Sequence, residues 1–419
     1  MKTLLRYDRE NPSAAIRTLL LLFALCHLIM VPFAGDFTFE GLARIMYAEC
    51  GLVTDTIVTG GLGATFMNAF LVTLLCIGAI QFSGGPFGGT AVASTCMTAG
   101  FAFFGINPVN MLPVLIGTYL YSLLNKDPFS KNVNIGIFAC CTGPIVQYMF
   151  VHGGFSMPLN TLLGILCGII CGLLVTPCAV STAKAHDGTN LYNGGFASGL
   201  ILIGMSAFLK GFGYTFESAF TWYTDKKLMI VLFLCVLFLL WFLIGFELNG
   251  RSFKELMTLG KRTGWRCDFI HLDGLGAAMM NMSVLGWIAV VYILVIGGDF
   301  SGPVLSGIYS IFAFGTIGKH FKNIVSVMAG IVLLSFVSEW SLRDPAVQFS
   351  ILLSTCVCPI SGRFGPFWGM LAGMVHISIV RQSGSFHSWL NLYNNGFAGG
   401  IAATLMHSLA LVFEKGKEE

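Results

Sequence analysis

The sequence predicts an all-α, polytopic membrane protein built from two homologous, inverted repeats with interrupted or re-entrant helices, and three observations carry that reading. The first is composition: 55% of residues are hydrophobic and only 10% charged, with mean hydropathy +0.80, whereas a soluble domain carries about 25% charged residues. The second is run length. Ile16 to Val31 and Leu228 to Phe246 hold no charge except Arg17, and at about 1.5 Å per residue each approaches or crosses a hydrocarbon core about 30 Å thick. The third is a repeated polar signature. His186-Asp187-Gly188-Thr189-Asn190-Leu191-Tyr192-Asn193-Gly194-Gly195-Phe196-Ala197-Ser198-Gly199 returns as His387-Ser388-Trp389-Leu390-Asn391-Leu392-Tyr393-Asn394-Asn395-Gly396-Phe397-Ala398-Gly399-Gly400, identical at nine of fourteen positions. Packing in lipid does not by itself select His and Asn, so the chain is read as a duplication, repeat one at 1–209 and repeat two at 210–419.

The duplication fixes the elements in order. Gly61-Leu62-Gly63-Ala64 with Met67-Asn68 matches Gly274-Leu275-Gly276-Ala277 with Met280-Asn281 at an offset of 213 residues. The same offset pairs Gly84-Gly85 with Gly297-Gly298, Gly89 with Gly302 and Asn110 with Asn323, and it slips to 201 at the His motif. Apolar segments at about 16–33, 62–81, 87–105, 108–124, 133–150, 157–176 and 190–209 then have partners at about 229–246, 275–296, 300–318, 322–338, 346–361, 365–380 and 391–413, and their length and periodicity predict helices. The first segment, preceded by Arg6, Arg9 and Arg17, imitates a signal peptide. Its twin in the second repeat makes it a structural helix instead. Gly84-Gly85-Pro86 and Gly143-Pro144 predict interruptions, which membrane depth tolerates only where protein or water satisfies the backbone.

Basic residues in short loops set orientation. The loop from Ala34 to Gly60 holds Arg44 against Asp36, Glu40, Glu49 and Asp55, whereas its twin from Glu247 to Asp273 holds Arg251, Lys254, Lys261, Arg262 and Arg266. Equivalent loops thus prefer opposite faces. The pair Gly105 to Pro108, uncharged, and Gly318 to Lys322, with Lys319 and Lys322, is read the same way. Lys210, Lys226 and Lys227 run against the pattern. Both termini, including Lys415 and Lys417, are expected in the cytoplasm of a multi-pass cell (inner) membrane protein.

Thirteen cysteines mostly fall in apolar runs, and neither Cys167 with Cys171 nor Cys356 with Cys358 has a His or carboxylate set nearby to complete a metal site. They are read as small packing residues, with no metal and no cofactor. The net charge of +3 is dispersed and leaves no nucleic-acid footprint. No Gly-x-Ser-x-Gly elbow, His-Glu-x-x-His or Walker lysine loop occurs, so no enzyme class is indicated.

Inverted repeats place substrate where interrupted helices of the two copies meet. Asn193-Gly194-Gly195 and Asn394-Asn395-Gly396 are read as turns or helix breaks that expose backbone groups beside Asn amides, which both donate and accept. Asn193 and Asn394 are therefore the first candidates for solute contact, with Asn190, Asn391, Tyr192 and Tyr393 beside them. The competing role for Asn190 and Asn391 is helix capping, and for Gly195-x-x-x-Gly199 and Gly396-x-x-x-Gly400 close helix packing. His186 and His387 are candidates for a loop hydrogen bond or a gate. Asn68 and Asn281, inside apolar helices, each require a partner and stand as second lining candidates, and Phe196 and Phe397 as a paired constriction or packing.

At these residues the chain resembles a family of prokaryotic multi-spanning proteins defined only as a domain of unknown function, carrying the Asn-Leu-Tyr-Asn-x-Gly-Phe-Ala and Gly-Leu-Gly-Ala-x-x-Met-Asn elements. The resemblance covers nearly the whole chain and implies no activity. At the level of fold, the motif is similar to that of the urea transporters, Gly-Leu-Tyr-Gly-Phe-Asn. Asn193 stands where that motif has its second Gly, and Ala197 and Ala398 where it has Asn.

The sequence thus predicts a channel or transporter for a small polar solute, embedded in a lipid bilayer, with homo-oligomerisation left open. The scarcity of carboxylates inside the segments argues for passive conduction. An ion-coupled carrier is the second reading and an intramembrane enzyme the third.

Overall fold

The computed structural model describes residues 11–418; Arg6 and Arg9 lie outside the described residues, as do the side chains of Lys415 and Lys417. The described residues form twenty α-helices joined by turns and short 3-10 segments. In the first repeat these are α1 (Pro12–Ala34), α2 (Phe39–Tyr47), α3 (Thr56–Gly60), α4 (Leu62–Ser83), α5 (Gly89–Phe101), α6 (Pro108–Leu124), α7 (Phe129–Ala139), α8 (Pro144–His152), α9 (Met157–Ala185) and α10 (Asn193–Lys210). The second gives α11 (Lys227–Leu248), α12 (Lys254–Leu259), α13 (Phe269–Asp273), α14 (Leu275–Val295), α15 (Gly302–Ala313), α16 (Phe321–Ser335), α17 (Pro345–Ser354), α18 (Cys358–Phe364), α19 (Pro366–Ser383) and α20 (Asn394–Glu418). Each helix of the first repeat has its twin ten places later.

Local chemistry sets the boundaries. Asn11, Thr38 and Asp55 cap helix starts with side-chain acceptors, and Pro12, Pro108 and Pro144 open helices where no amide donor is needed. Gly84, at φ +70°, ends α4 in the left-handed conformation, which a side chain resists. Gly84-Gly85-Pro86 and Gly297-Gly298-Asp299 are both non-helical, as their shared offset predicts.

Among the described residues seven stretches are long and apolar enough to cross a membrane, α17 and α18 counting together as one, or eight if α7 and α8, bent by 42° around Gly143, make another. Helices α6, α15 and α16 are apolar but shorter. Leu25, Ile29 and Phe33 on α1 and Leu228, Leu232 and Val236 on α11 are exposed, a surface that lipid solvates and water does not. This is a multi-pass membrane protein.

Contacts establish the inversion. At one face the start of α1 meets the end of α4, where Arg17 donates to Gln81 and the Phe87 amide to Ser13 Oγ. At the opposite face the end of α1 meets the start of α11 and the end of α14, where Lys226 Nζ donates to Ala34 O and Lys227 Nζ to Gly298 O. The twin ends of α4 and α14 therefore lie on opposite faces. Two of the three lysines that run against the charge pattern, Lys226 and Lys227, are tied down as caps of these helix ends.

At the centre, α5 and α15 pack against each other, α15 wholly buried and α5 buried at all but Thr90. Gly100 permits the approach, since a Cβ there would stand 2.3 Å from Tyr309 Cβ. Tyr309 OH in turn bonds His27 Nε2 of α1 at 2.8 Å, so the first repeat grips the second through its core.

Candidate functional site

The His motif forms the same hydrogen-bonded turn twice. His186 Nδ1 accepts the Asn190 amide at 3.2 Å, so its proton resides on Nε2, which donates to Asn193 Oδ1 at 2.9 Å. Thr182 Oγ1 donates to the same oxygen at 2.8 Å, and Asn193 Nδ2 donates to Ala179 O at 2.8 Å. In the second repeat His387 repeats both bonds, at 3.3 and 2.9 Å, with Ser383 donating to Asn394 Oδ1 at 2.7 Å and Asn394 Nδ2 to Val380 O at 3.1 Å. The amides of Asn193 and Asn394 are engaged inside their own repeats, each lashing the start of one helix to the end of the preceding one.

Two sequence expectations change here. Asn193 and Asn394 are the first residues of α10 and α20, so the following glycines lie in a first helical turn and do not break a helix. Asn190 and Asn391 are not ordinary helix caps. Each accepts a local amide, from Tyr192 and Tyr393 at 3.0 Å, and sends its Nδ2 across to Gly396 O and Gly195 O of the opposite repeat at 3.1 Å. Leu191 N also donates to Cys356 O and Leu392 N to Cys141 O. Each motif is thereby stitched to the kink between α17 and α18 or between α7 and α8 of its counterpart.

Helices α10 and α20 cross at Gly195 and Gly396, where a Cβ on Gly195 would lie 2.7 Å from Tyr393 O and 3.0 Å from Gly396 Cα. Gly199 receives Phe397 and Gly400 receives Phe196, and the two rings stand 6.1 Å apart between centroids. The structure thus brings Phe196 and Phe397 together on the pseudo-twofold axis. Asn68 and Asn281 are placed elsewhere, at the interruptions. Asn68 Nδ2 donates to Ala102 O and Ile106 O, Asn281 Nδ2 to Gly315 O and Lys319 O, satisfying carbonyls that the ended helices α5 and α15 leave free.

Lys319 requires a correction. It is no surface-loop charge reporting orientation: it is fully buried in the interruption between α15 and α16. Its ammonium donates to Tyr192 OH at 2.5 Å and Thr355 Oγ1 at 2.7 Å, lies 4.4 Å from the Tyr192 ring centroid, and pairs with no carboxylate among the described residues. Sequence reasoning placed it in a short loop because Gly318 and the charge together imitate one; the departure from its twin Ile106 was the available signal.

In the sequence Asp55 stands only as a loop charge. Its carboxylate accepts Ile57 N at 2.9 Å, Tyr223 N at 3.0 Å and, across the repeats, Gly302 N at 2.9 Å, where it meets the positive end of α15. Burial pushes its pKa up to about 6. The twin Asp268 caps α13 and lies against Gly89, whose Cβ position is 2.6 Å from Asp268 Oδ1.

Fold and site together define a multi-pass membrane protein of two interlocked, inverted repeats whose helix interruptions converge on paired polar turns. The chain matches the family described as a protein of unknown function, DUF1576, over residues 35–211 and again over 248–412, and it belongs to that family. No curated protein and no solved structure matches it.

Proposed function

We propose that the protein is a transporter for a small polar solute, its pathway running along the interface of the two repeats. The observation that carries this reading is the convergence of the interrupted helices of both repeats on the motif that joins them: Asn190 and Asn391 bond backbone carbonyls across the axis, and Asn68 and Asn281 hold the interruptions. Interrupted helices in inverted repeats concentrate backbone groups that a solute uses in place of its hydration shell. The conformation described is tightly closed there, so passage requires the repeats to move against each other.

One observation favours the ion-coupled carrier over the channel. Lys319 places an ionisable group in the core, which removes the argument for passive conduction and is the feature expected of a coupled cycle. Arg251, Lys254, Lys261, Arg262 and Arg266 lie in the segment that joins α11 to α14; because α11 begins where α1 ends, that segment lies on the face of Arg17 and the start of α1, and positive charge in short loops favours the cytoplasm for it. In proteoliposomes, saturable flux that depends on a second ion gradient supports the carrier, and flux with no such dependence supports the channel. Product formation with no flux of any solute would overturn both.

A further inference from the structure

The pseudo-twofold axis relates two buried tyrosine pockets that differ in chemistry. In one, Tyr192 meets Phe314 at 4.8 Å between ring centroids, and the Lys319 ammonium lies over both rings, at 4.4 and 5.5 Å, bonded to Tyr192 OH and Thr355 Oγ1. In the other, Tyr393 meets Phe101 at 4.2 Å. Phe101 and Phe314 share the 213-residue offset and Tyr192 and Tyr393 the 201-residue offset.

Ile106 stands where the second repeat has Lys319. The backbone positions are equivalent, since Asn68 Nδ2 donates to Ile106 O and Asn281 Nδ2 to Lys319 O, each at 2.8 Å. Beside Ile106, the buried hydroxyls of Tyr393 and Thr98 lie within reach of each other, and neither has a further hydrogen-bond partner among the described residues; the Thr95 hydroxyl, one helical turn away, is likewise unpaired. Thr95 and Thr98 are three residues apart on α5 and share a face. Hydroxyls short of partners at full burial are costly, and those of Tyr393 and Thr98 sit at the aromatic pair whose counterpart holds an ammonium.

We propose that the Tyr393 pocket binds a small ammonium-type cation, ammonium or a short primary alkylammonium, in the way its twin holds the side-chain ammonium of Lys319. The ring faces of Tyr393 and Phe101 supply cation–π attraction, and the hydroxyls of Tyr393 and Thr98 accept N–H bonds. Lys319 thus serves as a tethered copy of the ligand, fixed in one repeat while the other exchanges it. The inference names the ligand class for the transport reading and rests on that reading only for passage across the membrane.

The test uses radiolabelled methylammonium with the purified full-length protein, measuring equilibrium binding in detergent and uptake in proteoliposomes, with acetamide as the uncharged comparison. The parent should bind methylammonium saturably and not acetamide. Tyr393→Phe and Thr98→Val should each weaken binding about tenfold or more. Ile106→Lys, which supplies a tethered ammonium to the second pocket, should abolish binding, whereas Ile106→Met should retain it. If Ile106→Lys fails to fold by gel filtration, the Tyr393 and Thr98 variants decide. No saturable methylammonium binding, or binding indifferent to these substitutions, overturns the proposal. Acetamide flux without methylammonium binding would overturn it and leave the transport reading standing; methylammonium binding without flux of either probe would do the reverse.

Discussion

The carboxylate of Asp55 in the first repeat accepts the backbone N–H of Gly302, the first residue of α15 in the second, at 2.9 Å. One side chain outside the spanning helices thereby fixes where the half-helix of the opposite repeat begins. It also ties the connection between the repeats, through Tyr223 N at 3.0 Å, to the same point.

Asp55→Asn should alter the pH dependence of stability with a defined sign. Burial raises the folded-state pKa to about 6, above an unfolded value near 3.9. The folded protein therefore holds a proton that the unfolded chain has lost between these values, and stability falls as pH rises through the window. Thermal unfolding of the parent in detergent from pH 4 to 7 should show a decline that Asp55→Asn lacks. Parallel curves would show that Asp55 does not titrate on unfolding.

Replacing Asn193 or Asn394 by Ala should cost stability in both repeats, because each change strands equivalent donors and acceptors on neighbouring helices, half-buried around Asn193 and buried around Asn394. Loss of such a partner costs on the order of 1–3 kcal/mol. Both variants should melt lower than the parent, Asn394→Ala by the larger shift. Unchanged melting with a large loss of solute flux would instead give the amides a transport role.

Gly195→Leu and Gly396→Leu should yield little folded protein. Even a Cβ at Gly195 meets Tyr393 O at 2.7 Å, and overpacking typically costs about 1–3 kcal/mol before helix separation is counted. Gel filtration of solubilised membranes reads the outcome. Monodisperse protein at parental yield would mean that α10 and α20 can part without penalty.

Lys319→Met should leave the protein folded with at most a modest loss of stability, since removing a buried charge that no carboxylate among the described residues pairs offsets the cost of stranding the hydroxyls of Tyr192 and Thr355. Coupled flux should disappear. A variant that unfolds would make Lys319 a structural residue, and a variant with normal coupling would remove it from the cycle.

Single cysteines at Glu49 and Lys261, both exposed, should react with a membrane-impermeant thiol reagent from opposite sides in a cysteine-free background. Reaction of both from one side would contradict the inverted arrangement.

Interior composition, run length and the spaced Gly, Pro and Asn residues determined the helical class, the duplication and most helix boundaries, because lipid demands that backbone groups be satisfied locally. Gly84-Gly85-Pro86 marked an interruption from sequence alone, since its backbone preferences are intrinsic to those residues. The paired His and Asn residues were legible as a signature. Their work was not, because a hydrogen bond from Asn190 to Gly396 joins residues 206 apart, and no local pattern encodes the partner. Lys319 shows the same limit in the other direction. Its sequence neighbours Gly318 and Lys322 read as a solvent loop, and only the approach of Tyr192 and Thr355 from other helices turns the position into the core. The sequence set which backbone stretches end; the tertiary structure decided what meets them there, because burial and pairing are properties of the neighbours and not of the residue.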